Sequence, residues 1–205
     1  DAEKTKKQLI FAACEVFYRE GVARATLEQI AREAGVTRGA LYWHFDNKVD
    51  ILDALFQEVM PGMHELKQRL EGLQADDYWQ CMLQHYVNFM LMLVQDVHLR
   101  QFCTVMHLKC ELTESNAQVV ALLNRFCATW EADIEQVMAQ AVVVKALDSN
   151  TDVKQTSQLL RCILTGILVS YLGDVEKKEG IANVDFSILL MTHMINVLRL
   201  QPILK

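Results

Sequence analysis

The sequence predicts an all-α fold of about nine helices, on three observations. Apolar residues recur at helical spacing, capping residues stand at the ends of those runs, and the punctuation of a β-rich chain is missing. The 205 residues include only 2 Pro and 8 Gly, and almost no stretch alternates apolar with polar side chains. At 52% hydrophobic and 22% charged, the composition is that of an ordinary globular chain able to bury a substantial core.

Taken in order, the first helix runs from Thr5 to Glu20, with Leu9, Ile10, Ala13, Val16 and Phe17 on one face and Gly21 placed as a left-handed C-cap. Thr26-Leu27-Glu28-Gln29 is a capping box, in which the Thr and Gln side chains each satisfy an orphan backbone N–H. The second helix it opens turns Leu27, Ile30, Ala31 and Ala34 inward and stops at Gly35. Thr37 caps a short third helix through His44, and Asn47 with Asp50 caps a fourth through Leu52, Leu55, Phe56 and Val59, which Pro61-Gly62 kinks or ends. Further helices are expected near Asp77 to Gln95, Val97 to Leu112, Glu114 to Val144, Val153 to Asp174 and Val184 to Leu200. There is no internal repeat, so the division expected is a head at 1–50 and a helical body at 51–205.

Charge narrows the function classes less than its distribution does. The net charge is -6, but residues 1–50 hold eight basic and eight acidic side chains, so the body carries the whole excess. A neutral head neither requires nor excludes nucleic acid. The most apolar stretch, Leu159 to Leu172, is interrupted by Arg161 and is shorter than the roughly 20 residues that span a bilayer. With no secretory core near the first residues, a cytoplasmic protein without a membrane partner is expected. Cys14, Cys81, Cys103, Cys110, Cys127 and Cys162 form no C-x-x-C pair and read as reduced thiols. The chain has no phosphate loop, nucleophile elbow, dinucleotide fingerprint or H-E-x-x-H, so neither catalytic residues nor a cofactor is expected.

Two helices joined by a tight Gly-containing turn, the second short and rich in outward-reaching side chains, suit entry into a DNA major groove. Many helical hairpins share that spacing without binding DNA. The string Val36-Thr37-Arg38-Gly39-Ala40-Leu41-Tyr42-Trp43-His44-Phe45, followed by Asn47-Lys48, resembles the recognition-helix signature of the TetR family, and Ala23 to Gly35 resembles the segment before it. The resemblance implies a regulator that binds palindromic operator DNA as a homodimer. Within it, Thr37 and the first-turn amides suit a phosphate, Arg38 suits a guanine edge, and Gly39 permits close approach. Thr26, Tyr42, His44 and Lys48 can donate to phosphates. Ala40, Leu41 and Phe45 read as packing, Tyr42 serves either purpose, and Trp43 is a base-step contact or a platform against the first helix.

Arg24-Ala25-Thr26-Leu27, Asp53-Ala54-Leu55-Phe56-Gln57 and His107-Leu108-Lys109-Cys110-Glu111 resemble the AcrR/TtgR/MtrR-like branch of that family, which implies control of a multidrug efflux pump. A hydrophobic small-molecule inducer is the expected partner of the body. Its candidate site residues are Met60, Met63, Met106, His107, Phe126, Trp130 and Asp133: soft and aromatic walls with polar anchors, although such stripes are more often core than pocket. The resemblance singles out His107 and Trp130 as cavity-facing. Thr165-Gly166 and Ser170-Tyr171 depart from the branch's pattern. An alternative is metal or redox sensing through Cys103, His107 and Cys110, which fall at i, i+4 and i+7 with Glu111 alongside, although no fourth donor is evident. Two apolar stripes, Leu160, Ile163, Leu164, Ile167 and Tyr171, then Phe186, Leu189, Leu190, His193 and Val197, predict a homodimer seam.

Overall fold

The computed structural model describes residues 2–59, 63–110, 117–177 and 183–205. Among them the chain is all-helical, with one isolated antiparallel bridge between Thr151 and Leu204. Ten α-helices are present: α1 (Ala2–Glu20), α2 (Leu27–Glu33), α3 (Arg38–His44), α4 (Lys48–Val59), α5 (Met63–Leu70), α6 (Ala75–Gln95), α7 (Val97–Thr104), α8 (Ala117–Val143), α9 (Val153–Lys177) and α10 (Val184–Leu200). A π turn at Val105–Lys109 follows α7. Met60, Pro61 and Gly62, and the expected boundary at Glu111, Leu112 and Glu114, lie outside the described residues.

The chain divides into two compact units. The first joins Asp1–Met60 to Asp96–Arg125. There α1 packs against α2, α4 and α7, and its inward face is fully enclosed at Leu9, Ala13, Val16 and Phe17. Ile30 of α2, Leu41 of α3, Leu52 and Leu55 of α4 and Phe102 of α7 complete that core, and Phe56 meets Phe102 edge-on with centroids 5.5 Å apart. Truncating a ring such as Phe17 to Ala would cost about 3–5 kcal/mol, because the residual cavity adds to the lost transfer energy.

The caps that set this unit's corners are local. Thr26 Oγ1 accepts from Gln29 N at 3.2 Å, while Gln29 Oε1 accepts from Thr26 N at 2.8 Å, which closes the expected capping box. At the other end of α2, Gly35 N donates to Arg32 O and Val36 N to Ala31 O, the paired bonds of a Schellman cap. Gly35 sits at φ +67°, a left-handed conformation that an L side chain adopts only with strain. Asn47 Oδ1 accepts from Val49 N and Asp50 N at the start of α4.

The second unit contains Pro61–Gln95 and Phe126–Lys205. Here α6 packs on α5 and α10, and α10 on α9. Tyr78 Oη donates to Val137 O at 2.8 Å and Trp79 Nε1 to Asn196 Oδ1 at 3.2 Å, so the two largest buried rings of α6 bring satisfied polar tips into the core. Arg199 pairs with Asp76 and donates to Ala146 O. The α8–α9 loop is tied to the last residues by Asp152 N to Ile203 O at 2.7 Å and Lys205 N to Asn150 O at 3.0 Å.

Two expectations need correction. α5 is a helix beyond those expected: among its described side chains Leu66 and Leu70 are the buried ones, a short signal beside Pro61-Gly62 in the sequence. On α9, Leu160, Leu164, Ile167 and Tyr171 are buried within the chain, so they are not available to a seam, and its outward face lies one position round, at Leu159, Cys162 and Gly166. The α10 stripe does face outward, with Phe186 60% and Leu189 66% exposed. By length and hydropathy alone Val153–Glu176 could cross a bilayer, being longer than the apolar run within it, but it carries Arg161, which pairs with Glu131 at 2.9 Å.

Candidate functional site

Thr37 opens α3 as its N-cap, in an extended conformation, and Oγ1 accepts from Ala40 N at 3.1 Å. That leaves the hydroxyl proton free to donate outward. Leu41 is fully buried and Phe45 nearly so, which fixes α3 against the unit's core and turns Thr37, Arg38, Gly39, Tyr42 and Trp43 to solvent. Trp43 is 73% exposed and Tyr42 41%, aromatic surface that the fold does not consume. A Cβ at Gly39 would meet nothing closer than Thr37 Oγ1 at 3.9 Å, so glycine is not needed for internal packing and the bare backbone faces outward.

The outward side chains are organised. Arg38 Nη1 lies 3.1 Å from Glu28 Oε1 of α2, and Nη2 donates to Tyr42 Oη at 3.4 Å, with the guanidinium 5.3 Å from the Tyr42 ring centroid. Trp43 stands edge-on to half-buried His44, with centroids 4.6 Å apart. Thr26 lies exposed at the head of α2, but its hydroxyl proton is shared with Gln29 Oε1 at 3.1 Å. Lys48 is the most constrained of the expected contacts. Its Nζ donates to Val22 O and Ala23 O, both at 2.8 Å, tying α4 to the α1–α2 turn and leaving one N–H for a phosphate, and burial lowers its pKa.

The expected ligand residues fall in both units and are described within each. In the first, Met106 and His107 lie in the π turn, Met106 half-buried and His107 exposed. Protein crowded round the His107 ring still lowers its pKa, which favours the neutral imidazole. Lys109 ends that turn and anchors it: Nζ donates to Tyr18 O at 3.1 Å and lies 3.8 Å from the Tyr18 ring centroid. In the second, Phe126, Trp130 and Asp133 form a half-buried stripe along one face of α8, and Asp133 is paired with Lys67, which also donates to Gln136. Met63 begins α5, and Met60 lies outside the described residues. Two clefts in this unit, of about 880 and 310 Å³, are lined by other residues, the smaller by Lys67, Leu70, Glu71, Tyr78, Gln136 and Gln140 among others.

This geometry does not favour the metal or redox alternative. The π turn begins between Cys103 and His107 and breaks the α-helical register that would align them with Cys110, leaving Cys103 buried and His107 exposed. Burial pushes the Cys103 thiol up to about 12, away from the thiolate that oxidation requires. Glu111 lies outside the described residues, among which no three His, Cys, Asp or Glu side chains gather into a site. Sequence reasoning also missed two polar residues, Glu28 and Lys109, because their partners lie across a turn and in a distant helix.

Comparison with known proteins bears on the same segments. Residues 9–55 match a model described as bacterial regulatory proteins, tetR family, and residues 77–185 one described as MAATS-type transcriptional repressor, C-terminal region. The chain is 32% identical over 186 residues to the HTH-type transcriptional regulator TtgR of Pseudomonas putida, covering 86% of this chain and 89% of that one. Among solved structures it resembles NalD, the secondary repressor of the MexAB-OprM multidrug efflux pump in Pseudomonas aeruginosa, with a TM-score of 0.80, 27% identity and coverage of 96% and 97%. It also resembles SmeT in complex with triclosan, with a TM-score of 0.77, 25% identity and coverage of 95% and 90%.

Proposed function

This chain belongs to the TetR family of bacterial transcriptional regulators, and from that premise we propose that it is a ligand-responsive, cytoplasmic repressor that binds palindromic operator DNA as a homodimer. One observation carries the reading: the exposed row Thr37, Arg38, Tyr42 and Trp43 on a short capped helix, whose opposite face is anchored by Leu41 and Phe45. The helix has the size and polarity of one that enters a major groove, with Arg38 for a base edge and Thr37, Tyr42, His44 and the remaining N–H of Lys48 for phosphates. On this reading residues 1–50 bind DNA, and 51–205 bind ligand and dimerise. The seam is the outward face of α10 with Leu159, Cys162 and Gly166 of α9, in a four-helix arrangement of two copies.

Control of a multidrug efflux operon is supported by the likeness to NalD, and a hydrophobic ligand by the likeness to the SmeT–triclosan complex. Met63, Met106, His107, Phe126, Trp130 and Asp133 are the ligand residues proposed. Lys109 gives the ligand state a path to the DNA-binding face: a shift of the π turn that carries Met106 and His107 pulls on Tyr18 near the end of α1, one turn before the segment leading into α2. The test compares Arg38→Ala and Trp43→Ala with the parent chain. Both side chains are exposed, so melting should hold within about 0.5 kcal/mol. Arg38→Ala should lose preference at one base pair, worth about 1–3 kcal/mol, and Trp43→Ala should bind specific duplex more weakly. Unchanged affinity and base preference in both would refute the docking of α3.

A further inference from the structure

Glu28 is an acid on the surface that faces DNA in the reading above, on which this inference rests. A carboxylate there repels phosphates and weakens binding to every sequence. Its side chain is 54% exposed and that of Arg38 65%; ion pairs so exposed contribute little to stability, and the dipole of α2 favours an acid in this first turn without requiring that it reach Arg38. Among the described residues, Glu28 pairs with Arg38 Nη1 at 3.1 Å, on the other helix of the pair. From its own helix Arg38 is held a second time, by Tyr42 Oη at Nη2.

We propose that Glu28 is a specificity-determining residue: from α2 it fixes the guanidinium of Arg38 for a guanine edge and denies it the neighbouring phosphates. Arginine carries five N–H donors in a planar fork, and the two anchors occupy two of them. Anchors from two helices define the plane of the fork as well as its position, and the remaining donors are enough for the paired contact to guanine O6 and N7. An arginine without the second anchor swings on its flexible stem and satisfies a phosphate as readily as a base, which raises affinity for all DNA and lowers discrimination. Glu28 is therefore a positioning residue that acts through Arg38.

The test selects binders from a duplex library randomised on both sides of a two-fold centre, using the parent chain, Glu28→Ala, Glu28→Asp and Arg38→Ala. Glu28→Asp is the informative variant, because it keeps a negative charge in the first turn of α2, where it favours the helix dipole, yet is one methylene too short to hold Arg38. Arg38→Ala identifies the base pair that Arg38 reads. At that pair both Glu28 variants should lose about tenfold or more of the parent's preference. Glu28→Ala should also bind a labelled random-sequence duplex more tightly than the parent, with at most the small fall in melting that losing a first-turn charge brings. If Glu28→Asp and Glu28→Ala keep the parent's preference while Arg38→Ala loses it, the proposal is overturned and the docking of α3 stands. If Arg38→Ala also keeps it, both fail. A uniform loss of binding to all sequences with a lowered melt would make Glu28 a structural residue and overturn the proposal as well.

Discussion

Burial holds the thiols of Cys14 and Cys103 in their protonated form. Both are pushed up to about 12 from an ordinary value near 9, by desolvation first, then by Glu15 and Asp96 for Cys14 and by Cys14 for Cys103. The unfolded chain releases these protons near pH 9 and the folded chain does not. The contribution to stability is therefore complete below about pH 9 and falls as pH rises toward 12, by about 1.4 kcal/mol per pH unit for each thiol. Urea midpoints followed from about pH 8 to about pH 11 should fall more steeply for the parent than for Cys103→Ala; parallel curves would show that Cys103 ionises freely in the native state. At this scale the sequence is readable where partners are close in the chain. Thr26, Thr37 and Asn47 cap as their spacing to Gln29, Ala40 and Asp50 requires. Lys48 reads as a free cation in sequence, yet its ammonium is spent mainly on the carbonyls of Val22 and Ala23, more than twenty residues earlier.

Helices one to four follow the expected order because each carries its own start and stop signals. The turn between α2 and α3 is the clearest case: Gly35 at φ +67° has nothing within 4 Å of where a Cβ would stand, so only backbone conformation demands glycine. Gly35→Ala should destabilise the chain by about 1–2 kcal/mol through that strain alone, read as a lowered urea midpoint, with specific DNA binding reduced in parallel. A neutral substitution would mean that the turn is not left-handed. The π turn has no such signature. Val105 to Lys109 reads as ordinary helix, and it is the extra residue in the turn that spoils the Cys103, His107 and Cys110 alignment. α5 is hidden for a different reason, since two buried leucines among its described side chains, Leu66 and Leu70, fall below what periodicity can distinguish from a loop. Lys109→Met keeps the length and apolar stem of the anchor but removes its donor and charge. It should leave operator and ligand affinities near those of the parent while reducing the effect of one on the other, which amounts to about 1–3 kcal/mol in coupled regulators. Full coupling in that variant would place the path elsewhere.

At the scale of the whole molecule, the α10 stripe Phe186, Leu189, Leu190, His193 and Val197 is outward as its periodicity implies, while most of the matching stripe on α9 is consumed inside the chain. The sequence marked both faces as apolar and could not say which of them the chain itself would cover. Leu189 is 66% exposed, so Leu189→Glu leaves the core intact and puts a charge in the proposed seam. Light scattering at micromolar concentration should report a monomer for that variant and a dimer for the parent. Its affinity for an inverted repeat should fall by about a hundredfold or more, because one reading helix loses the effective concentration supplied by its twin. A Leu189→Glu dimer with full affinity would move the seam off α10.

The central claim, that paired copies of α3 read symmetric DNA, is tested most directly by the mass of the complex with the duplex that the parent chain selects from a randomised library. The account predicts an enriched inverted repeat, with half-sites one helical turn or a multiple of it apart, and an even number of chains on each duplex. A selected sequence without two-fold symmetry, or a single chain per duplex, would contradict it.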